Sequence, residues 1–386
     1  VRGQLISDVP LGGFLSGGLD SSVLAAAILQ HRPLEACSVG YSRKGYNEWE
    51  FVRQAAAFHG IPCEEIDLPE GDYPDDWRRL VRFKGLPLST PNEVPIYRLA
   101  GTFRRRFTVA MTGEGADEVF GGYVGPTFCA FDYDRAQGLQ GGIDRQALRR
   151  FYGTDNLGSR REHFFAVNAW LSESAQQRLL PGLSRLDTAA ADQVRGQYDT
   201  WFGELENCST LDAYLRIHAR VNLEGLLNRL DSSTMAASVE GRVPFTDHHL
   251  VEWAFGLPDR YKLGLEPAWQ APEAHRHWNS FELQERGAVR SKHLLRTAFR
   301  HGVPPGILGR PKMSFPVPFR EWFNGFLKEP YREALGHSPL ARNLLSAERL
   351  EKERDPAVPV DGMLAWPLMN LMLLEAAWQV SLPGSP

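Results

Sequence analysis

The stretch Ser16-Gly17-Gly18-Leu19-Asp20-Ser21-Ser22 constrains this chain more than any other. An apolar run ending Gly13-Phe14-Leu15 precedes it, and Val23-Leu24-Ala25-Ala26-Ala27-Ile28-Leu29 comes after it with the pattern of a buried helix. The layout is strand, small-residue loop, helix N-terminus. Two glycines let the backbone turn tightly and approach a ligand closely. The first amides of a helix lack intrahelical partners and carry partial positive charge, so such a loop suits a phosphate or pyrophosphate. Ser16, Ser21 and Ser22 add hydroxyl donors. Asp20 by itself would repel phosphate, so it makes most sense as a ligand of magnesium, which is usually shared between carboxylates and substrate phosphates. The competing reading is an ordinary strand-to-helix turn with Asp20 and Ser21 as caps. The loop is neither the GxxxxGK[ST] nor the GxGxxG pattern.

A second stretch of the same kind runs Thr112-Gly113-Glu114-Gly115-Ala116-Asp117-Glu118, after the short apolar strand Phe107 to Met111. Glu114, Asp117 and Glu118 gather three carboxylates within five residues. Such a cluster is costly unless a cation or basic partner balances it. By itself it also fits a capped turn with a solvated acidic face.

Between these stretches strands and helices alternate. Ala36 to Tyr41 and Pro62 to Leu68 read as strands; Asn47 to His59, Tyr73 to Phe83 and Glu93 to Arg106 read as helices. Alternation of this kind predicts an α/β fold, a parallel sheet flanked by helices. Ligands of such sheets bind at the carboxyl ends of the strands, where loops 16–22 and 112–118 and the segment after Val39 converge. Arg104-Arg105-Arg106 reads as the basic end of a helix, complementing its dipole. Residues 124–220 suggest an additional helical lobe, and 264–287 a loop or lid. His248, His249, His275 and His277 lack the flanking ligands of a zinc motif and read as surface residues.

Composition narrows the function class. A net charge of −4 over 386 residues argues against nucleic-acid binding by bulk electrostatics. Cys37, Cys63, Cys129 and Cys208 form no CxxC pair, which suggests free thiols in a reducing, cytoplasmic compartment. The apolar stretch 362–382 is broken by Pro367, Asn370, Glu375 and Gln379, so it reads as a buried C-terminal helix and not a membrane span. The chain starts at Val1 and leads directly into the first motif, as an excised domain or an incomplete copy would.

Together these segments resemble the synthetase domain of the asparagine synthetase family, within the ATP pyrophosphatase superfamily. The resemblance is carried by Ser7-Asp8-Val9-Pro10 with Phe14-Leu15 and the SGGLDSS loop, by Thr112 to Tyr123, and by Asn228 to Asp247. It continues through Lys292-His293-Leu294-Leu295-Arg296, through the R-x-K-x-x-F loop Arg310 to Phe315, and into Leu364-Ala365-Trp366 of the C-terminal helix. Thr112 stands where the family often has serine, and Asn228-Arg229 where it usually has lysine.

The resemblance implies an adenine nucleotide alpha hydrolase-like fold with an ATP-binding core at 1–125, a helical insertion at 126–220 and a helical completion at 221–386. ATP and pyrophosphate would be held by Leu15, Ser16, Gly17, Gly18, Asp20, Ser21, Ser22, Val39, Thr112 and Gly113. Asp20 and Asp117 would hold Mg2+, Glu114 would act as acid/base, and Lys312 would offset phosphate charge. Glu118, Arg229, Asp231, Glu240 and Arg242 would orient the substrate. The implied reaction activates a carboxylate such as aspartate as an acyl-adenylate, releases pyrophosphate, and delivers the acyl group to ammonia or an amine with loss of AMP. Family members usually carry an N-terminal glutaminase domain, so the implied partners are a glutaminase domain or subunit, or ammonia taken directly, with a homodimer as the assembly. Two alternatives remain open: an intramolecular ligase closing a β-lactam or lasso-peptide ring, and a non-catalytic ATP-binding scaffold subunit.

Overall fold

The computed structural model of the chain describes residues 1–185, 188–310, 312–313 and 316–381. Pro311, Ser314 and Phe315 of the R-x-K-x-x-F loop, and Leu382, lie outside the described residues.

The apolar run before the first motif forms strand β1 (Leu11–Phe14), and the uniformly apolar stretch after it forms helix α1 (Leu19–Leu29), buried along most of its length. The chain then steps outward through β2 (Ala36–Gly40), α2 (Trp49–His59) and β3 (Cys63–Asp67). Helices α3 (Tyr73–Lys84) and α4 (Glu93–Phe103) carry it back across the sheet to β4 (Val109–Met111), on the other side of β1. A fifth strand, β5 (Glu240–Arg242), pairs beyond β4. The order is β3-β2-β1-β4-β5 and every pairing is parallel. The winding direction reverses between β1 and β4. Their carboxyl ends form the crevice where α/β sheets bind ligands, and the two motifs read from the sequence sit on those ends.

Strand β5 was not legible as a strand. Three residues, two of them charged, carry no period, yet an edge strand tolerates charged side chains facing water. Helix α4 ends at Phe103, so the three arginines lie beyond the helix; Arg106 pairs with Glu35, and Arg104 and Arg105 are exposed.

The C-terminal helix, Gly362–Ser381, is integral to the core. Trp366 stacks on Trp77 of α3 with ring centroids 4.3 Å apart. Asn370 Oδ1 accepts from Trp77 Nε1 at 2.8 Å and from the backbone amide of Leu88 at 3.0 Å. These contacts answer for the polar residue inside an apolar stretch. Among the described residues no helix is long and apolar enough to cross a membrane. All four cysteines are free.

The described residues between 124 and 218 form helices packed around Cys129, Phe164, Leu205, Ala213, Tyr214 and Ile217. The segment 264–287 is tied to them by a buried ion pair. Arg135 donates to Asp132 at 2.6 Å and to the carbonyls of His275 and Trp278 at 2.8 Å each, while Asp132 also accepts from Ser280. His275 is therefore buried against Arg135 and not a surface residue as its polar surroundings suggested. His248, His249 and His277 are exposed.

His163 is buried in the same lobe. Its Nδ1 lies 2.9 Å from the Tyr214 hydroxyl, which donates to the Arg160 carbonyl, so the ring is the donor here. Its Nε2 is buried without a partner, and burial pulls the imidazole down to about 4. The unfolded chain takes up this proton below about pH 6.5, whereas the folded chain resists until about pH 4. Stability should therefore fall as pH drops through this window, by about 3 kcal/mol from this group. Urea melts of His163→Phe should show a flatter acid limb than wild type between those values; parallel limbs would contradict the assignment.

Candidate active site

The first loop is shaped by its glycines and serines. Gly17 has φ of 69°, and a side chain there would lie 2.5 Å from the amide of Val52 at the start of α2. Ser21 Oγ accepts from the Ser16 amide at 3.2 Å and lies 3.0 Å from Ser16 Oγ. Ser16 is exposed at the loop tip, whereas Ser21 and Ser22 are buried beneath it. Leu15 anchors the loop in the core. The loop borders a pocket lined by Ser16, Gly18, Asp20, Glu48, Lys292 and Arg310.

The second loop docks against the first: a side chain at Gly113 would meet the backbone of Asp20 and Ser21 at 3.0–3.1 Å. This close approach brings Asp20 and Asp117 together around one ammonium. Lys292 Nζ lies 2.6 Å from both oxygens of Asp20 and 2.5 Å from Asp117 Oδ1. Lys312 Nζ lies 2.5 Å from Asp117 Oδ2. Burial pushes the Asp117 carboxyl up, but Lys292 and Lys312 together outweigh it and hold the group below the usual carboxylate range. Burial acts on Lys312 in the opposite sense, and Asp117 and Asp20 more than offset it, keeping the ammonium charged. Lys292 adopts a left-handed backbone (φ 49°, ψ 39°) just ahead of the helix His293–Ala298. A lysine there is strained by about 1 kcal/mol or more, and such strain collects at functional sites.

These residues fit magnesium. Two carboxylates converge on a single position already selected for a cation. No cluster of three or more His, Cys, Asp or Glu side chains suited to a metal occurs among the described residues. A divalent ion bound by two carboxylates needs further oxygens from phosphate and water, which is how magnesium is commonly held.

The chain matches the family model described as asparagine synthase over residues 1–379. It belongs to the asparagine synthase family. It is 30% identical over 365 residues to asparagine synthetase [glutamine-hydrolyzing] 1 of Bacillus subtilis, covering 88% of this chain and 51% of that protein. It is 29% identical to a putative asparagine synthetase [glutamine-hydrolyzing] of Mycobacterium tuberculosis, covering 100% of this chain and 58% of that protein. The chain thus spans about half the length of the curated relatives it matches.

Within this family framework the remaining expected residues divide into two groups. Glu114 lies next to the Asp117 cluster and is gripped by Arg229, whose Nη2 donates to both carboxylate oxygens at 2.9 and 3.0 Å. Glu118 is buried and accepts from Asn222 at 2.8 Å; burial, reinforced by Asp117, pushes its carboxyl up to about 7. Thr112 is buried where its amide donates to the Arg242 carbonyl at 2.9 Å. Pairing of β1 with β2 covers Gly13↔Ala36 and Phe14↔Cys37, so Ser38 and Val39 extend past β1 at the mouth of the crevice. The other group does not converge on the site. Asp231 is exposed on the helix Glu224–Met235. Glu240 is exposed on β5, and Arg242 donates to it and to the carbonyls of Gln4 and Ile6 at 2.7 Å each. Through these carbonyls Arg242 pins the N-terminal turn to the sheet edge.

Three contributors were missed in the sequence: Lys292, Asn222 and the Glu48–Arg310 pair. Arg310 donates to Glu48 and to the Gly17 carbonyl, and lies over the Phe51 ring, so it closes the loop 16–22 from outside. Lys292 did carry a signal. A lysine at a helix N-terminus opposes the macrodipole and asks for another reason to be there.

Gly122 tests this geometry. A side chain at this position would lie 1.8 Å from Asp117 Oδ1 and 2.3 Å from Lys292 Cε. Gly122→Ala should lower ATP-dependent activity by about a hundredfold, the scale of a 1 Å misplacement of reacting groups. Activity close to wild type would contradict the packing described.

Proposed function

We propose that this chain is the synthetase portion of an asparagine synthetase-like enzyme, a ligase that joins a carboxylate to ammonia through an acyl-adenylate and releases AMP and pyrophosphate. The observation that carries the reading is the Asp20–Lys292–Asp117–Lys312 cluster, set beside the phosphate loop with Glu114 next to it.

In this reading the loop 16–22 and the first amides of α1 receive the β- and γ-phosphates. Magnesium, bound by Asp20 and Asp117, would neutralise phosphate charge. Lys292 and Lys312 exchange their carboxylate partners for phosphate oxygens, and fixed cations at developing phosphate charge lower the barrier. A substrate carboxylate oxygen attacks the α-phosphorus and the bond to the β-phosphate oxygen breaks. Pyrophosphate leaves. Ammonia then attacks the acyl carbon, Glu114 accepts a proton from that nitrogen, and the bond to AMP breaks. A positioned carboxylate within reach of the amine can contribute about a hundredfold or more as a general base. Intact Asp20, Asp117, Glu114 and Lys312 favour catalysis over a scaffold role, because a buried charge such as Asp117 is costly to retain without a task.

Aspartate is the proposed acyl donor, on the names of the relatives. Ammonia is proposed to come from a glutaminase domain or partner, since those relatives are described as glutamine-hydrolysing. Four free cysteines support a cytoplasmic setting.

With magnesium-ATP, aspartate and ammonium, the chain should form AMP, pyrophosphate and asparagine in equal amounts. ADP and phosphate as products would overturn the reading. Glu114→Gln should keep ATP–pyrophosphate exchange while losing asparagine formation, and equal loss of both steps would remove Glu114 as the base.

A further inference from the structure

One helical run supplies the partners of two of the three carboxylates in the stretch 114–118 after β4. The helix Thr210–His218 passes through a π-helical turn, Ala219–Leu223, into the helix Glu224–Met235, with helical backbone at each junction. Asn222 donates to Glu118, and seven residues later Arg229 donates to Glu114. Seven residues are about two helical turns, so both side chains leave one face. The preceding helix is fixed by Ala213, Tyr214 and Ile217 in the helical lobe. A π turn adds a residue and rotates the helix beyond it, and such turns recur at functional sites. Here it changes the phase of the run from packing in the lobe to facing the carboxylates.

The grip on Glu114 is specific in form. Both oxygens are held by a single guanidinium nitrogen, Nη2, at 2.9 and 3.0 Å. That fixes the carboxylate while each oxygen, with two acceptor sites, keeps one for a further proton donor. The guanidinium is steadied in turn. Arg229 Nη1 reaches the Thr90 hydroxyl at 3.4 Å, the outer limit of a hydrogen bond. The Ser89-Thr90 turn is locked by fully buried Glu93, which accepts from the Ser89 amide at 2.5 Å, the Ser89 hydroxyl at 2.8 Å and Lys84 Nζ at 3.0 Å.

We propose that Arg229 is a positioning residue for the amide-forming half of the reaction, aiming Glu114 at the incoming amine and taking no part in adenylation. The proposal rests on the reading of Glu114 as the base. In that step the nitrogen–carbon bond forms, the nitrogen's proton passes to a Glu114 oxygen, and the bond from carbon to the AMP oxygen breaks. Without the grip, the adenylate still forms, but water competes with ammonia for it.

The test compares ATP–pyrophosphate exchange with the AMP-to-asparagine ratio. Arg229→Gln should keep exchange within about threefold of wild type while asparagine formation falls about tenfold or more, so that AMP exceeds asparagine. Arg229→Lys, which retains the charge, should recover most of the coupling. Adding Arg229→Gln to Glu114→Gln should cost nothing beyond Glu114→Gln alone, as expected for residues acting as one unit. Equal loss of exchange and amide formation in Arg229→Gln, failure of Arg229→Lys to recover coupling, or a multiplicative loss in the double variant would overturn the proposal. Wild-type chain that couples normally, with an unchanged ratio in Arg229→Gln, removes only the role of Arg229. Wild-type chain that makes no AMP from aspartate and ammonium overturns the functional reading and this proposal with it.

Discussion

The structure depends on an alternating run of charges: Lys292 between Asp20 and Asp117, and Lys312 on the far oxygen of Asp117. Removing charged groups from water costs several kcal/mol each, and the cost is offset only by close, well-aligned partners. Lys292 is 3% exposed and Asp117 9% at the side chain, so neither is stable there without the other. The cluster is therefore neutralised from within. Under the proposed function, phosphates would take over the lysines and a divalent ion the aspartates.

The fold exists to bring those four charges together. They lie at positions 20, 117, 292 and 312, and no local segment holds more than one of them. The reversal of winding between β1 and β4 places Asp20 and Asp117 on adjacent strand ends. The short antiparallel pairing of Gly264–Leu265 with Val289–Arg290 ends immediately before Ser291-Lys292. It is held to the helical lobe through the buried Asp132–Arg135 pair. The C-terminal helix ties to α3 through Trp366 and Asn370. Segments remote in sequence thus act on the site by fixing backbone positions, without supplying chemistry themselves.

What could be read from the sequence was local. A strand, two glycines and a helix start announce a tight strand-to-helix loop, and alternating periods announce a parallel sheet. The acidic Gly-rich stretch 113–118 was legible because its charge density needed an explanation. Interactions between distant segments were not. Lys292 stood in the segment Lys292 to Arg296 with no role attached to it, and only its left-handed backbone and its place between two aspartates set it apart. Arg229, Asp231, Glu240 and Arg242 occur in one charged stretch, yet only Arg229 reaches a carboxylate of the site; Arg242 turns to the N-terminal carbonyls. Helical phase separates Arg229 from Asp231, and the π turn that precedes their helix has no sequence signature; Glu240 and Arg242 lie on the edge strand instead. His275 looked solvated because its neighbours in sequence are polar, while its neighbours in space are Arg135 and Phe131.

Oxygen isotope transfer tests most directly whether a carboxylate oxygen attacks the α-phosphorus of ATP held over this cluster, as proposed. Aspartate labelled with 18O in its carboxylates, incubated with magnesium-ATP and ammonium, should pass one labelled oxygen to the phosphate of AMP in each turnover. Label in inorganic phosphate, or turnover that leaves AMP unlabelled, would contradict the account.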